Sequence, residues 1–327
     1  MPDWFLLSTG FEKRDTPTLY FIGVTTGKSS IMRVFPRWAE ALALDAEIVG
    51  VDFALHDRPE RYRGIVEHIK TDPLSKGALV TTHKLDLLQA ARDLFDVLGP
   101  YASRLGEASC ICKREGQLVG KAMDPISSGL ALDAFIPEDH WSSGGEVLLL
   151  GAGGSSLALS VRLLERARDG RPHPSQIVVT NRSPRRLDEM QAIHAHLDVD
   201  LPVKYVLSPT PEDNDRICNR MPPGSLVVNA TGLGKDRPGS PLTDAVRFPE
   251  RGYAWDFNYR GDLQFLKQAQ AQEADLHLTI EDGWIYFVHG WTRVIAEVFG
   301  IEIPTSGPKL DRLSDIASAA RSAQGKG

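Results

Sequence analysis

The stretch that decides the fold is EVLLLGAGGSSLALSVRLLERA, residues 146–167. The run EVLLL predicts a short buried strand, and the apolar run after the glycines predicts a helix. Gly151 permits the tight turn between them, and Gly153 lets the backbone approach a pyrophosphate at the helix N-terminus. Ser156 stands where the usual fingerprint has its third glycine, so the loop alone would also fit a structural turn. Its position between strand and helix favours dinucleotide binding, through Gly151, Gly153, Gly154 and Ser155.

The next strand, QIVVTN (176–181), ends in a basic turn. An acidic residue there would accept bonds from the adenosine ribose and repel a phosphate. The chain has arginines instead, and guanidinium groups form paired, charged hydrogen bonds with phosphate. A solvated basic turn has the same composition, but behind the glycine loop it favours NADP. The predicted contacts are Asn181, Arg182, Ser183 and Arg186.

Length and composition limit the class of protein. The 327 residues suit two domains of roughly 150 each, and the net charge of -6 argues against broad nucleic-acid binding. The N-terminal stretch has no signal-peptide pattern, and no apolar run approaches the ~20 residues of a membrane span. We expect Cys110, Cys112 and Cys218 to be structural thiols in a reducing compartment, and the protein to be cytoplasmic.

Strand and helix signals alternate along the chain, which predicts an α/β fold. In the first part, strands are predicted at 18–25, 47–53 and 77–82, helices at 29–44, 58–70 and 84–98, and a hairpin at 107–124. In the second part, further strands are predicted at 225–231 and 253–259, a long helix at 282–300, and a short helix in the tail.

Six motifs, in order, resemble those of the shikimate dehydrogenase family over roughly residues 18 to 300. They are the loop at 151–154, Asn-Arg-Ser at 181–183, Asn-Ala-Thr at 229–231 with Gly234, Asp256 with Tyr259, Thr-His-Lys at 82–84, and Leu-Val-Gly at 118–120 followed by Asp124. No single motif is decisive, whereas six in the right order are specific.

The resemblance implies an N-terminal α/β substrate-binding and catalytic domain, 1–125 completed by 283–327. It also implies a Rossmann-type doubly wound NADP-binding domain, 126–282, with the active site in the cleft between them. Hydride transfer with NADP would interconvert a ring hydroxyl and a ketone, without a metal. Lys84 would move the hydroxyl proton and Asp124 would orient it. The remaining implied contacts are Asn229, Thr231 and Gly283 for the cofactor, and Lys28, Ser29, Ser109, Tyr259 and His289 for the substrate.

The substrate segments depart from the family pattern. The family's Ser-x-Ser-Pro keeps Ser29 but has Ile31 and Met32 at its last two places. Its Asn-Val-Thr-x-Pro-x-Lys becomes residues 78–84 and retains only the lysine and an apolar second residue. Its Gly-Ala-Val-Asn-Thr becomes Gly-Glu-Ala-Ser-Cys at 106–110, and its late glutamine falls on Gly290. Because the losses concentrate in substrate recognition, we expect a related enzyme with another substrate.

Several alternatives stay open. Lys28 and Arg33 either hold a carboxylate or phosphate of the substrate or point to solvent, and His83 and His289 either contact substrate or are structural. Taken alone, Lys84 would be a surface lysine opening a helix. Asp124 alone would be a helix cap. The chain could be an authentic shikimate dehydrogenase, or a non-catalytic NADP(H)-binding sensor on the same fold. The expected partner is a small ring acid or cyclitol, and the expected state a monomer or homodimer.

Overall fold

The computed structural model describes residues 10–235 and 237–322, and the chain divides into two compact units. The first unit runs to Met123 and resumes at Val288, and the second comprises Asp124–Phe287. Each unit is built around its own six-stranded sheet. The assignment of substrate to the first unit and of NADP to the second stays a prediction.

The sheet of the first unit is mixed. Its strands are β1 (Thr18–Gly23), β2 (Glu47–Asp52), β3 (Ser75–Val80), β4 (Val97–Leu98), β5 (Cys110–Arg114) and β6 (Gln117–Lys121). Their order is β2-β1-β3-β5-β6-β4. β1, β2 and β3 are parallel, whereas β5 is antiparallel to both of its neighbours. The carboxyl ends of β1, β2, β3 and β6 and the amino end of β5 therefore share one edge, called here the first edge.

The sheet of the second unit is wholly parallel. Its strands are β7 (Val147–Leu150), β8 (Ile177–Asn181), β9 (Val203–Leu207), β10 (Leu226–Asn229), β11 (Tyr253–Asp256) and β12 (Thr279–Glu281). Their order, β12-β11-β10-β7-β8-β9, runs outward in both directions from β7. This is the doubly wound Rossmann order, with its switch point between β7 and β10. The predicted fold class is confirmed.

Helices connect the strands in both units. They are α1 (Ile31–Ala41), α2 (Pro59–Thr71), α3 (Lys84–Ala91), α4 (Pro100–Leu105), α5 (Asp124–Phe135), α6 (Gly154–Arg168), α7 (Pro184–Ala195), α8 (Pro211–Cys218), α9 (Gln264–Gln270), α10 (Glu273–Leu276), α11 (Trp284–Phe299) and α12 (Pro308–Ser322). α11 begins in the second unit and ends in the first. None of the helices among the described residues is long and apolar enough to cross a membrane.

Helix α1 packs an apolar face into the core of the first unit. Ile31, Val34 and Trp38 are all fully buried, and the Trp38 indole donates a 2.7 Å hydrogen bond to the carbonyl of Leu313 in α12. Pro36 lies inside the helix on its exposed side. The helix lies within the predicted range 29–44 and begins at Ile31, before the proline.

The prediction of one helix over 84–98 is wrong. Helix α3 ends at Ala91, a turn of 3-10 helix follows, and the chain then forms β4, which pairs with β6. The Asp96 carboxylate accepts the backbone N–H of Leu118, and Phe95 is buried in the core. These long-range contacts override the helical periodicity of the segment.

Besides β4, two further strands were not predicted, and the tail helix differs in length from the expected one. β9 and β12 are the outer strands of the second sheet, and the residues of β9 are only partly buried. Each of them pairs with a neighbouring strand on one side only. In the tail, α12 has 15 residues and is longer than the short helix expected.

Candidate functional site

The glycine loop lies at the switch point of the second sheet, directly after β7. Gly151 has φ +100°, and its N–H donates to the carbonyl of Thr180 at 2.9 Å. A Cβ at Gly151 would lie 3.1 Å from the Thr231 methyl carbon and 3.3 Å from the carbonyl oxygen of Ala230. Glycine is therefore required for the backbone conformation and for the close approach of the segment after β10.

The start of α6 is suited to an anionic ligand. Gly153 is the cap residue, and nothing lies within 4 Å of the place where its Cβ would be. The first N–H groups of a helix have no acceptor within it, and the helix dipole favours negative charge there. Ser156, which replaces the third glycine, is buried and donates to the carbonyl of Gly151. Serine in place of the third glycine therefore stabilises the loop through this hydrogen bond.

The turn after β8 is tied to the glycine loop through Asn181. Its side-chain oxygen accepts the N–H of Ala152 at 3.3 Å, and its amide nitrogen donates to the carbonyl of Ser183 at 3.0 Å. Arg186 forms an ion pair with Glu189 at 3.0 Å. Arg182 is exposed and makes no ion pair with any described residue, so of the two predicted arginines it is the more available for a ligand.

A buried polar network holds the segment after β10. The Asn229 side-chain oxygen accepts the N–H and the hydroxyl of Thr231, at 3.1 and 2.7 Å. The Asn229 amide and the N–H of Asn258 both donate to one oxygen of Asp256, at 3.1 and 2.9 Å. Asp256 is fully buried, and its other oxygen has no partner among the described residues. Burial raises the pKa of Asp256 to about 7. Sequence reasoning missed Asn258, which completes the network.

Gly283, predicted to border the cofactor, is a site of close packing. A Cβ there would lie 2.1 Å from the carbonyl oxygen of Phe257. Beside it, Tyr259, Trp284 and Phe287 form an aromatic cluster, in which the Trp284 and Phe287 rings stack with centroids 4.7 Å apart. Tyr259, predicted to contact substrate, is thus held by two neighbouring rings.

The loop after β1 contains the predicted substrate groups of the first edge. The N–H and hydroxyl of Thr26 both donate to one oxygen of Asp52, at 2.8 and 2.6 Å, and this fixes the loop. Lys28 and Arg33 are exposed and Ser29 is half-buried. Asp52 was not predicted from the sequence, because it comes from β2, about 26 residues along the chain.

The fully buried Ile31 explains part of the altered family pattern. The family has its second carboxylate-binding serine at this place, whereas here the side chain belongs to the core of the first unit. An anion at this loop would therefore have to be bound by Ser29 and the neighbouring basic groups.

Lys84 is the first residue of α3 and is half-buried. His83 beside it is 1% exposed, and its Nδ1 lies 2.9 Å from the hydroxyl of Tyr62, which accepts the N–H of Asp57. Burial lowers the pKa of His83. The Nδ1 side of His83 is thus structural, whereas its Nε2 is buried and has no partner among the described residues, so both alternatives stay open.

Residues 107–109 adjoin both predicted catalytic segments. The N–H of Ala108 donates to the carbonyl of Lys84 at 3.2 Å. The N–H of Ser109 donates to the carbonyl of Lys121 at 3.0 Å, and the Ser109 hydroxyl oxygen accepts the N–H of Met123 at 2.7 Å. Asp124 follows Met123 as the first residue of α5 and is half-buried.

His289, on α11, is 1% exposed, and its Nδ1 has no partner among the described residues. Burial, with a smaller effect of Arg293, lowers the pKa of His289 to about 4. The ring is therefore neutral near pH 7. It would act as a hydrogen-bonding group and not as a cation.

Three curated proteins that are similar to this chain have the same name. No family model matches the chain. "Shikimate dehydrogenase (NADP(+))" of Lactococcus lactis subsp. cremoris is 25% identical over 226 residues, covering 69% of this chain and 74% of that protein. The protein of the same name from Thermus thermophilus is 29% identical over 224 residues, covering 67% and 74%. That of Xanthomonas campestris pv. campestris is 32% identical over 192 residues, covering 58% and 59%.

Several solved structures have folds similar to that of this chain over almost its whole length. Shikimate 5-dehydrogenase from Thermus thermophilus in complex with shikimate has a TM-score of 0.67 at 25% identity, covering 94% of this chain and 99% of that one. Quinate dehydrogenase from Corynebacterium glutamicum in complex with NAD has a TM-score of 0.74 at 17% identity, covering 94% and 100%. 5-Ketofructose reductase of a Gluconobacter species has a TM-score of 0.65 at 18% identity, covering 95% and 99%. The last two show likeness of fold alone.

Proposed function

We propose that this chain, which belongs to the shikimate dehydrogenase family, is an NADP-dependent oxidoreductase. It interconverts a ring hydroxyl and a ketone of a shikimate-like or cyclitol-like substrate. The observation that carries the proposal is the Gly151 loop at the switch point of a Rossmann-ordered sheet, with Arg182 unpaired at the end of the neighbouring strand. An oxidoreductase of this kind needs both a pyrophosphate site and a means of selecting NADP.

The residues of the second unit fit the cofactor. The open space at Gly153 and the N–H groups at the start of α6 suit a pyrophosphate. Arg182 would bind the 2′-phosphate, while Asn181 keeps that turn against the loop. Asn229 and Thr231 would border the nicotinamide ring. When bound, NADP accepts the hydride from the substrate, or NADPH supplies it.

Lys84 and Asp124 would handle the proton. As the carbon–hydrogen bond of the alcohol breaks and the hydride leaves, the hydroxyl oxygen becomes a carbonyl oxygen and must release its proton. Lys84 would accept that proton during oxidation and return it during reduction. Asp124 would hold the lysine and a substrate hydroxyl in position.

The substrate is proposed to differ from shikimate. Ile31 lies in the core, and the Ser109 hydroxyl oxygen already accepts a backbone N–H, which leaves its O–H to donate to a ligand. Lys28, Ser29, Tyr259 and His289 complete the proposed substrate contacts. Authentic shikimate dehydrogenase activity is the second candidate, favoured by the shared name of the curated relatives. A non-catalytic sensor is disfavoured by the presence of both Lys84 and Asp124. We further propose a cytoplasmic monomer or homodimer.

Lys84→Ala tests the chemical step. General acid–base groups contribute about 10²–10⁴-fold to rate, so kcat should fall by that factor while the Kd for NADP stays near wild type. Lys76→Ala serves as the control, because Lys76 is a half-buried lysine of β3 whose side chain, among the described residues, donates to the carbonyl of Pro73. An unchanged kcat in Lys84→Ala would refute the proposed role of Lys84.

A further inference from the structure

Glu107, between α4 and β5, is an unusual residue of the first unit. It is only 5% exposed, and its Oε1 atom is enclosed. Among the described residues, no donor pairs with this oxygen. Glutamate is almost never fully buried unless it is paired.

A buried carboxyl group without a donor destabilises a fold, because it loses its hydrogen bonds to water and gains none in exchange. Such groups are few in native proteins, and each one calls for an explanation. A bound ligand that supplies the missing donor is one such explanation. The carboxyl group would then be paired only in the complex.

The position of Glu107 favours this explanation. The next residue, Ala108, donates its N–H to the carbonyl of Lys84 at 3.2 Å, and Ser109 accepts the N–H of Met123 at 2.7 Å. Glu107 therefore belongs to the short segment that is bonded both to the proposed proton-transfer lysine and to the residue before Asp124. It lies at the first edge, where the strand ends of the unit meet.

The carboxyl group is a feature of this chain and not of the family pattern, which has alanine at the corresponding place. The neighbouring departure, Ser109 for asparagine, lies two residues further on. A carboxyl group accepts hydrogen bonds from hydroxyl groups, whereas it repels another carboxylate. The segment has thus gained an acceptor for hydroxyl groups.

We propose that Glu107 is a specificity-determining residue, whose carboxyl group accepts a hydrogen bond from a ring hydroxyl next to the reacting carbon. The substrate is accordingly a polyhydroxylated ring that presents a hydroxyl group, and no carboxylate, to this segment. The proposal rests on the proposed function and specifies its substrate class.

The test combines one isosteric variant with paired substrates. Wild type, Glu107→Gln and Glu115→Gln are assayed with NADP on shikimate, quinate and myo-inositol, and on analogues that lack one hydroxyl next to the reacting carbon. Glu115 is an exposed residue of the β5–β6 turn and serves as the matched control. Thermal unfolding of the three proteins is measured alongside.

With the substrate that wild type prefers, Glu107→Gln should lower kcat/KM by about 10- to 100-fold, the size of one hydrogen bond to a charged group. The loss should shrink to about 2-fold with the analogue lacking the paired hydroxyl, because that interaction is already absent. The Tm of Glu107→Gln should equal or exceed that of wild type, since the enclosed carboxyl oxygen has no hydrogen bond to lose. Glu115→Gln should match wild type throughout.

Equal kcat/KM for wild type and Glu107→Gln on every accepted substrate would overturn the proposal while leaving the proposed function intact. A loss of the same size with and without the hydroxyl, together with a lower Tm, would show Glu107 to be structural and would also overturn it. Absence of NADPH formation by wild type on any substrate would instead contradict the proposed function, and this inference with it.

Discussion

At the scale of single residues, we propose that Arg182 selects NADP over NAD. Arg182→Ala removes an exposed guanidinium group that has no ion-pair partner among the described residues. One charged hydrogen bond is worth roughly 1.5–3 kcal/mol, so the Kd for NADP should rise about 10- to 100-fold. The Kd for NAD, which has no 2′-phosphate, should change little. Both constants can be measured by titration calorimetry.

Arg185→Ala is the matched control for that experiment. Arg185 is exposed, lies on the same turn and is bonded to Glu189 at 2.8 Å. Its loss should leave both cofactor affinities near wild type. Equal weakening of NADP and NAD by Arg182→Ala would mean that this turn does not select the phosphate.

Asp256 gives a prediction about pH. Burial raises its pKa from an ordinary value of 3.8 to about 7. The stability linked to its protonated form is therefore fully present below pH 3.8 and is lost as the pH rises through about 7. Asp256→Asn keeps the shape and stays neutral, so it should gain stability relative to wild type over this range, by up to about 4 kcal/mol.

The measurement for Asp256 is denaturant unfolding of wild type and variant at a series of pH values. The difference in free energy of unfolding should grow between about pH 4 and pH 7 and then level off. Parallel pH profiles for the two proteins would contradict the raised pKa.

The sequence predicted the roles of individual residues only where those residues belong to a local motif. The glycine loop follows β7 and Asn181 ends the neighbouring strand β8, so their roles could be predicted from their spacing along the chain. Asp52 and Glu107 gain their significance from burial and from partners far along the chain, or from the lack of them. No local pattern encodes that information, and both were missed as candidate site residues.

At the scale of elements, two glycines allow a matched comparison of alanine substitutions. Gly283 directly precedes α11, and Gly290 lies within it. Gly283→Ala places a Cβ 2.1 Å from the carbonyl oxygen of Phe257, so β11 and α11 must separate. We expect a loss of about 1–3 kcal/mol in stability. Gly290→Ala meets nothing within 4 Å inside the helix and should gain about 0.5–1 kcal/mol.

Thermal or urea unfolding measures both alanine variants. A neutral Gly283→Ala variant would show that the start of α11 has room to move. In that case close packing would not explain the glycine at position 283, and its predicted role beside the cofactor would be favoured instead.

Many of the elements were predictable, whereas helices α4 and α7 to α10 and strands β4, β9 and β12 were not predicted. Strong periodicity located α1, α6 and α11. The helix predicted over 84–98 failed because Phe95 is buried in the core and β4 pairs with β6. β9 and β12, which were missed, are the outer strands of the second sheet. In each case pairing with a distant segment determined the structure, and local sequence does not report such pairing.

At the scale of the whole molecule, the two units have diverged from the family pattern to different degrees. The second unit keeps the glycine loop, the basic turn and the Asn-Ala-Thr segment, whereas the first keeps Lys84 but replaces most residues of the family's substrate motifs. The likeness to the shikimate dehydrogenase family and the fold were therefore predictable from sequence. The proposed substrate class was not, because that proposal rests on how Ile31, Glu107 and Ser109 are buried and bonded.

The central claim is NADP-linked oxidation of a ring alcohol other than shikimate. The most direct measurement is the kcat/KM of the wild-type protein for NADPH formation across a panel of ring acids and neutral cyclitols that includes shikimate and quinate. We predict turnover with NADP, and we predict that at least one other ring polyol or ring acid is oxidised clearly more efficiently than shikimate. Shikimate oxidised as efficiently as any other member of the panel would contradict the altered substrate, and NADP binding without turnover on any member would contradict the enzyme itself.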